Sequence, residues 1–102
     1  MIALITRVSI LPNKMDQALR IAKTSVKPTE QKEGCLGLFI MANRESRELV
    51  SLSLWESERA LKAIEDDGFA DQHASRLSTV IADHVSGIPY EVAEASQIKT
   101  WT

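Results

Sequence analysis

Cysteine, proline, glycine and histidine are all scarce in this chain of 102 residues, and neither sign of charge is in large excess. A single cysteine, Cys35, excludes an internal disulfide and fits a protein kept in a reducing cytoplasm. The net charge of −2, with both signs interspersed, leaves no basic stripe for phosphates and argues against nucleic acid as a partner. No apolar run approaches the roughly 18–20 residues that cross a bilayer. The opening "MIALITRVSILPNK" carries neither a charged leader nor a small-residue cleavage site, so it is not read as a signal peptide. Internal repeats and low-complexity linkers are also missing. Asp66–Asp67 has no companion cluster of histidine or carboxylate to hold a metal, and reads instead as a break between helices.

Against those exclusions stands an ordinary globular composition, 44% apolar and 25% charged, enough for one small domain. Residues 1–96 read as that domain and 97–102 as a tail carrying Trp101. Ile2–Leu11 is rich in β-branched residues and reads as a strand, with Ile2, Leu4, Val8 and Ile10 on one face. Pro12 ends it, and Asn13 is placed to cap a helix from Lys14 in which Met15, Ala18, Leu19, Ala22 and Val26 recur at helical spacing. Pro28 breaks or kinks this helix, and one more turn over Thr29–Glu33 ends at Gly34, a left-handed exit. Cys35–Ala42 and Glu48–Trp55 read as a hairpin about "NRESR". Ser57 caps a helix bearing Ala60, Leu61 and Ile64, which Gly68 breaks. A further helix is expected from Phe69 to about Val85, with Phe69, His73, Leu77, Val80, Ile81 and His84 on one stripe. "IPYEVAEA" supplies a last short strand.

The order β-α-β-β-α-β is that of an α+β, ferredoxin-like sheet with both helices on one face. Such a sheet is normally polar on its uncovered side. Here the second strand is apolar on both sides, with Leu36, Leu38 and Ile40 on one and Cys35, Phe39 and Met41 on the other. Ala3, Ile5 and Leu11 extend the second apolar face. A bare face of that kind is a patch that monomers avoid, so a homodimer packed sheet to sheet is expected.

"GCLGLFI" after a Pro-broken helix, then "LVSLSLWES", then a helix and Phe69-x3-His73, resembles the antibiotic biosynthesis monooxygenase (ABM) domain over about Ile2 to Ala95. Trp55-Glu56-Ser57 is the most specific part of the match. The resemblance implies a dimeric α+β barrel built from ferredoxin-like protomers. It also implies one of several chemistries: cofactor-free monooxygenation of quinols or polyphenolic, polyketide-like substrates, haem binding and degradation, or no established reaction. One fold hosting several chemistries leaves the choice to the site.

A cofactor-free oxygenase needs an electron-rich substrate, a base to deprotonate it, donors to hold its oxygen and a dry pocket. His73 and Trp55 are the candidate catalytic residues, with Phe69 as an apolar wall. Thr6 and Arg7 are the candidate polar contacts, depending on which faces the cleft. In the haem branch that the chain resembles, a histidine holds the iron, assisted by a tryptophan and a strand-one asparagine. His73 and Trp55 match the first two, while the third falls at Thr6 or Arg7, neither of which is an asparagine.

Each residue also has a plainer reading. His73 on an apolar stripe is a hydrogen-bonded core residue, Trp55 a packing anchor, His84 a cation at a helix C-terminus, and Cys35 a small buried hydrophobe. Three classes of function therefore follow: a quinol or polyphenol monooxygenase, a haem protein, and a non-catalytic small-ligand-binding dimer. A cleft filled by its own side chains would favour the last.

Overall fold

The computed structural model describes residues 1–69, 72 and 75–96, with backbone alone at 84–86. Seven elements run β1 (Ile2–Ile10), α1 (Met15–Lys23), α2 (Val26–Glu30), β2 (Cys35–Asn43), β3 (Glu48–Trp55), α3 (Glu58–Asp66) and β4 (Ile81–Glu91). The strands form one antiparallel sheet in the order β2-β3-β1-β4, the ferredoxin-like arrangement expected from the sequence. β1 and β3 are the central strands. Helix α1 packs over β2 and β3, α2 over β2 and α3 over β3.

Local chemistry explains most boundaries. Ser57, in extended conformation, accepts the Ala60 N–H on its Oγ at 3.2 Å and so caps α3. Lys14, not Asn13, occupies the position before α1, and Asn13 instead takes the left-handed turn at φ 64°. Pro28 sits in the first turn of the short α2, where its missing N–H removes no helical hydrogen bond. Gly34 (φ 84°) makes the left-handed exit into β2, and a side chain there would collide with the Ala60 Cβ. At the β2–β3 turn Arg47 is left-handed at φ 55°, and Asn43 Oδ1 accepts the Ser46 N–H. Arg44 donates to Asp16 at 2.8 Å, tying the hairpin to α1 and lowering the Asp16 carboxyl below its ordinary range.

Two expectations are corrected. The helix expected over Phe69–Val85 stops early: a turn spans Arg76–Val80, and from Ile81 the chain is β4. His84 therefore lies on a strand opposite Val8, not near a helix C-terminus. β4 carries β-branched Ile81, Val85 and Ile88, residues that suit a strand, and β1 offers it a free edge along nearly its whole length. The second correction concerns β2. A bulge between Cys35 and Gly37 changes the phase of the strand, so Cys35 pairs with Trp55 and packs beside Ile2, Leu61 and Ile64 on the helix side. Leu36, at the bulge, is 53% exposed rather than aligned with Leu38 and Ile40.

The core beneath the helices comes in two parts. Val8, Ile10, Met15, Ala18, Ala22, Leu49 and Val80 fill one end, and Ile2, Trp55, Leu61 and Ile64 fill the other. The uncovered face keeps Phe39, Met41, Ala3 and Ile5 of the expected row without Cys35 and adds Ile88 and Tyr90 of β4, with Met41, Ile88 and Tyr90 42%, 45% and 51% exposed. Among the described residues no helix is long and apolar enough to cross a membrane.

The cap and the glycine exit generate a stability test. Ser57→Ala should lower stability by about 1 kcal/mol, a fall of roughly 4–8 °C in melting temperature. Gly34→Ala should cost more, because strain at positive φ adds to a collision with α3. Thermal melts that rank the two the other way would contradict this account of the α3 junction.

Candidate functional site

Between the two core clusters, the helix side of the sheet opens into a cavity of about 360 Å³. That size falls in the range of small-molecule sites, and the described side chains leave the cleft unfilled. The floor comes from the middle of the two central strands, where the register places Thr6 opposite Ser51 and Leu4 opposite Ser53. Leu38 and Ile40 of β2 extend it beside Ser53 and Ser51. Ile21, Ala22 and Ser25 from the first helical region and Ile64, Glu65 and Phe69 from the second form the roof and rim.

The pleat of β3 explains why the cavity exists. Leu49, Ser51, Ser53 and Trp55 alternate toward the helices, while Val50, Leu52 and Leu54 alternate away from them. Two serines thus stand where a core would normally place bulky hydrocarbon. Thr6 does the same on β1, between Leu4 and Val8. Hydrocarbon packs the ends of the sheet, and small hydroxyl side chains leave space at its centre. Gly87 of β4 completes the gap: a Cβ there would lie 2.8 Å from Leu4 Cδ1 and 3.0 Å from Thr6 Oγ1.

The anticipated residues divide clearly. Trp55, Phe69 and Thr6 all line this cavity. Arg7 projects from the opposite face, where it pairs with Glu48 at 3.3 Å and borders a shallow depression with Ile5, Met41 and Val50. His73 lies outside the described residues, as does Trp101. Trp55 is 2% exposed, and its indole Nε1–H donates to Ser53 Oγ at 2.9 Å. It is thus both the packing anchor of the second core cluster and a wall of the cavity. Phe69 is held from outside by Lys32, whose Nζ lies 4.4 Å from the ring centroid and 3.4 Å from Asp67 Oδ2. Asp67 Oδ1 in turn accepts the Phe69 N–H at 2.8 Å. Asp66–Asp67 is therefore a turn device, and the described residues contain no cluster of three or more metal-ligating side chains.

Ser51 and Ser53 were not anticipated as site residues. Their signal was present in "ELVSLSLW", where Val50, Leu52 and Leu54 fall on one face and the serines on the face that also carries Leu49 and Trp55. Chemically the cavity is a hydrocarbon box with hydroxyls on its floor and one anion, Glu65, and one cation, Arg76, in its lining. It suits a neutral, mostly apolar molecule bearing a few oxygens. For haem, the strand-one position that faces the cavity offers the hydroxyl of Thr6 rather than an amide.

The family model for antibiotic biosynthesis monooxygenases matches residues 1–82. Among solved structures, a protein from Mycobacterium tuberculosis is 16% identical, with a TM-score of 0.78 over 94% of this chain and 98% of its own. One from Deinococcus radiodurans, whose name places it among the antibiotic biosynthesis monooxygenases, is 17% identical with a TM-score of 0.79, covering 98% of this chain and all of its own. A conserved protein from Methanosarcina mazei is 22% identical with a TM-score of 0.72, covering 87% and 89%. At such identities these likenesses establish the fold. Among curated proteins none matches the chain.

The role given to Gly87 can be checked directly. Gly87→Ala should crowd Leu4 and Thr6 and weaken binding of a neutral fluorophore such as N-phenyl-1-naphthylamine by about tenfold. Unchanged binding would show that the fluorophore occupies some other part of the molecule.

Proposed function

Because the chain belongs to the antibiotic biosynthesis monooxygenase family, we propose that it is a cofactor-independent monooxygenase that oxidises a quinol or polyphenolic small molecule with O2 in the helix–sheet cavity. The observation that carries this reading is the cavity itself: about 360 Å³, walled by hydrocarbon, with Thr6, Ser51 and Ser53 on its floor. A planar aromatic molecule buries its rings against Leu4, Leu38, Ile40 and Phe69, while its oxygens meet the hydroxyls.

The chemistry balances without an external reductant. A quinol and O2 give a hydroxyquinone and water; one oxygen atom enters the ring, the other leaves as water, and the substrate supplies all four electrons. The protein's task is then to remove the phenolic proton, hold the resulting anion and exclude water. His73 is the proposed base, on the strength of the Phe69-x3-His73 pattern and the suitability of imidazole for proton transfer near neutral pH. The floor hydroxyls are the proposed partners of the substrate oxygen, Trp55 is the proposed catalytic-site residue behind them, its indole N–H donating to Ser53, and Phe69 is the proposed wall.

The same family membership, with the apolar outer face, supports a homodimer packed sheet to sheet. Ile5, Phe39, Val50, Leu52 and Leu54 lie on that face beside the exposed Met41, Ile88 and Tyr90, a larger apolar patch than a solvated sheet carries.

Two measurements test these readings. An oxygen electrode with 1,4-naphthohydroquinone should register uptake, with a hydroxyquinone product carrying one atom from labelled O2. His73→Ala should slow turnover about 100-fold or more; full activity in that variant removes His73 as the base, and no uptake across a panel of quinols removes the oxygenase reading. Sedimentation should give about twice the 11.3 kDa chain mass, and Leu52→Glu should shift it toward the monomer. A stable wild-type monomer would overturn the sheet-to-sheet dimer.

A further inference from the structure

Ser53 holds an unspent hydrogen-bond donor in the wall of the cavity. It is the buried polar residue of the described core, only 7% exposed. Its Oγ accepts the Trp55 indole N–H at 2.9 Å. An indole N–H can only donate, so this contact occupies a lone pair of the serine and leaves the hydroxyl hydrogen unused. Among the described residues nothing accepts that hydrogen. β3 is a central strand, and its backbone is engaged by β1 on one side and β2 on the other. The cross-strand neighbours of Ser53 on the cavity face are Leu4 and Leu38, both hydrocarbon. No side-chain hydrogen bond other than the one from Trp55 reaches Ser53 among the described residues. Buried donors are nearly always satisfied, and the open direction here is the cavity that Ser53 lines.

We propose that Ser53 is the donor that holds the substrate's oxygen, and that the Trp55 indole N–H is a positioning group acting through it. This rests on reading the cavity as the substrate site. The hydrogen bond from Trp55 does two things. It restricts the serine rotor, directing the O–H away from the indole, and it strengthens that O–H as a donor through hydrogen-bond cooperativity. Thr6 and Ser51 face one another across β1 and β3, with no such orienting partner among the described residues, so they donate or accept as a ligand requires. Ser53 is thereby specialised for an oxygen that accepts: a carbonyl, or a phenolic oxygen once its proton has gone. In the oxidation of a quinol that is the charge-bearing oxygen, and the donor gains strength as the charge develops.

The test separates oxygen recognition from cavity shape by using 1-tetralone and tetralin, two bicyclic probes that differ at one carbonyl. Their relative affinities are read by competition against a neutral fluorophore, with thermal melts confirming that each variant folds. Ser53→Val should reduce the preference for 1-tetralone by roughly five- to tenfold, leaving tetralin little changed, while Ser53→Thr should retain it. Trp55→Phe should reduce the same preference in the wild-type background and have no further effect in the Ser53→Val background. A preference that survives Ser53→Val, or that Trp55→Phe lowers equally in both backgrounds, overturns the proposal. If Trp55→Phe fails to fold, the Thr and Val pair at position 53 decides alone. Binding of these probes consumes no oxygen, so the two readings fail separately. A Ser53-dependent preference without quinol oxidation leaves the subsite and removes the oxygenase. Quinol oxidation without that preference does the reverse, and absence of binding by either probe removes the cavity as a ligand site.

Discussion

The alternation of β3 is the constraint on which the rest of the molecule depends. A strand in the middle of a half-covered sheet ordinarily sends its large apolar residues toward the helices. β3 does so only at its two ends, with Leu49 and Trp55, and sends Ser51 and Ser53 inward between them. Val50, Leu52 and Leu54 go outward instead. This inversion empties the centre of the core and loads the uncovered face with hydrocarbon. A cavity and an apolar outer surface are thus two consequences of one pattern.

That arrangement is tolerable only because both ends of the core are well filled. Ile10, Ala18 and Val80 are almost wholly buried at one end, and Trp55 at the other. A 102-residue domain has little surplus stability, so space at its centre must be offset by dense packing beside it. Trp55 links the two requirements. Its ring anchors the second core cluster, and its one polar atom is spent on Ser53 rather than left unsatisfied. The side chain that closes the core also orients a hydroxyl toward the empty space.

Much of the fold was legible in the sequence, because the elements carry strong local signals. The Ser57 cap, the Gly34 exit and the hairpin at "NRESR" each follow from residue chemistry that tertiary contacts do not overrule. The misread elements were those where tertiary context decides. Leu77 to Val85 has apolar residues spaced for a helix, but β1 left an edge open and the chain from Ile81 pairs with it as β4. The bulge at Leu36 was invisible, since alternation alone assumes an unbroken strand. At the site, Trp55, Phe69 and Thr6 line one cavity, and the pleat turns Thr6 toward it and Arg7 away. Ser51 and Ser53 were passed over because serine is a common surface residue; only their register with Leu49 and Trp55 marks them as inward.

The central claim is that ligand chemistry takes place over the hydroxyl floor and within reach of the Trp55–Ser53 pair. The most direct measurement is the nitrogen–proton resonance of the Trp55 indole, followed by NMR as 1,4-naphthohydroquinone is titrated under argon. The account predicts a saturable shift of that resonance, since a ligand accepting from Ser53 strengthens the hydrogen bond that the indole makes to it. A quinol that leaves the Trp55 indole unmoved while shifting Met41, Ile88 and Tyr90 on the outer face would contradict it.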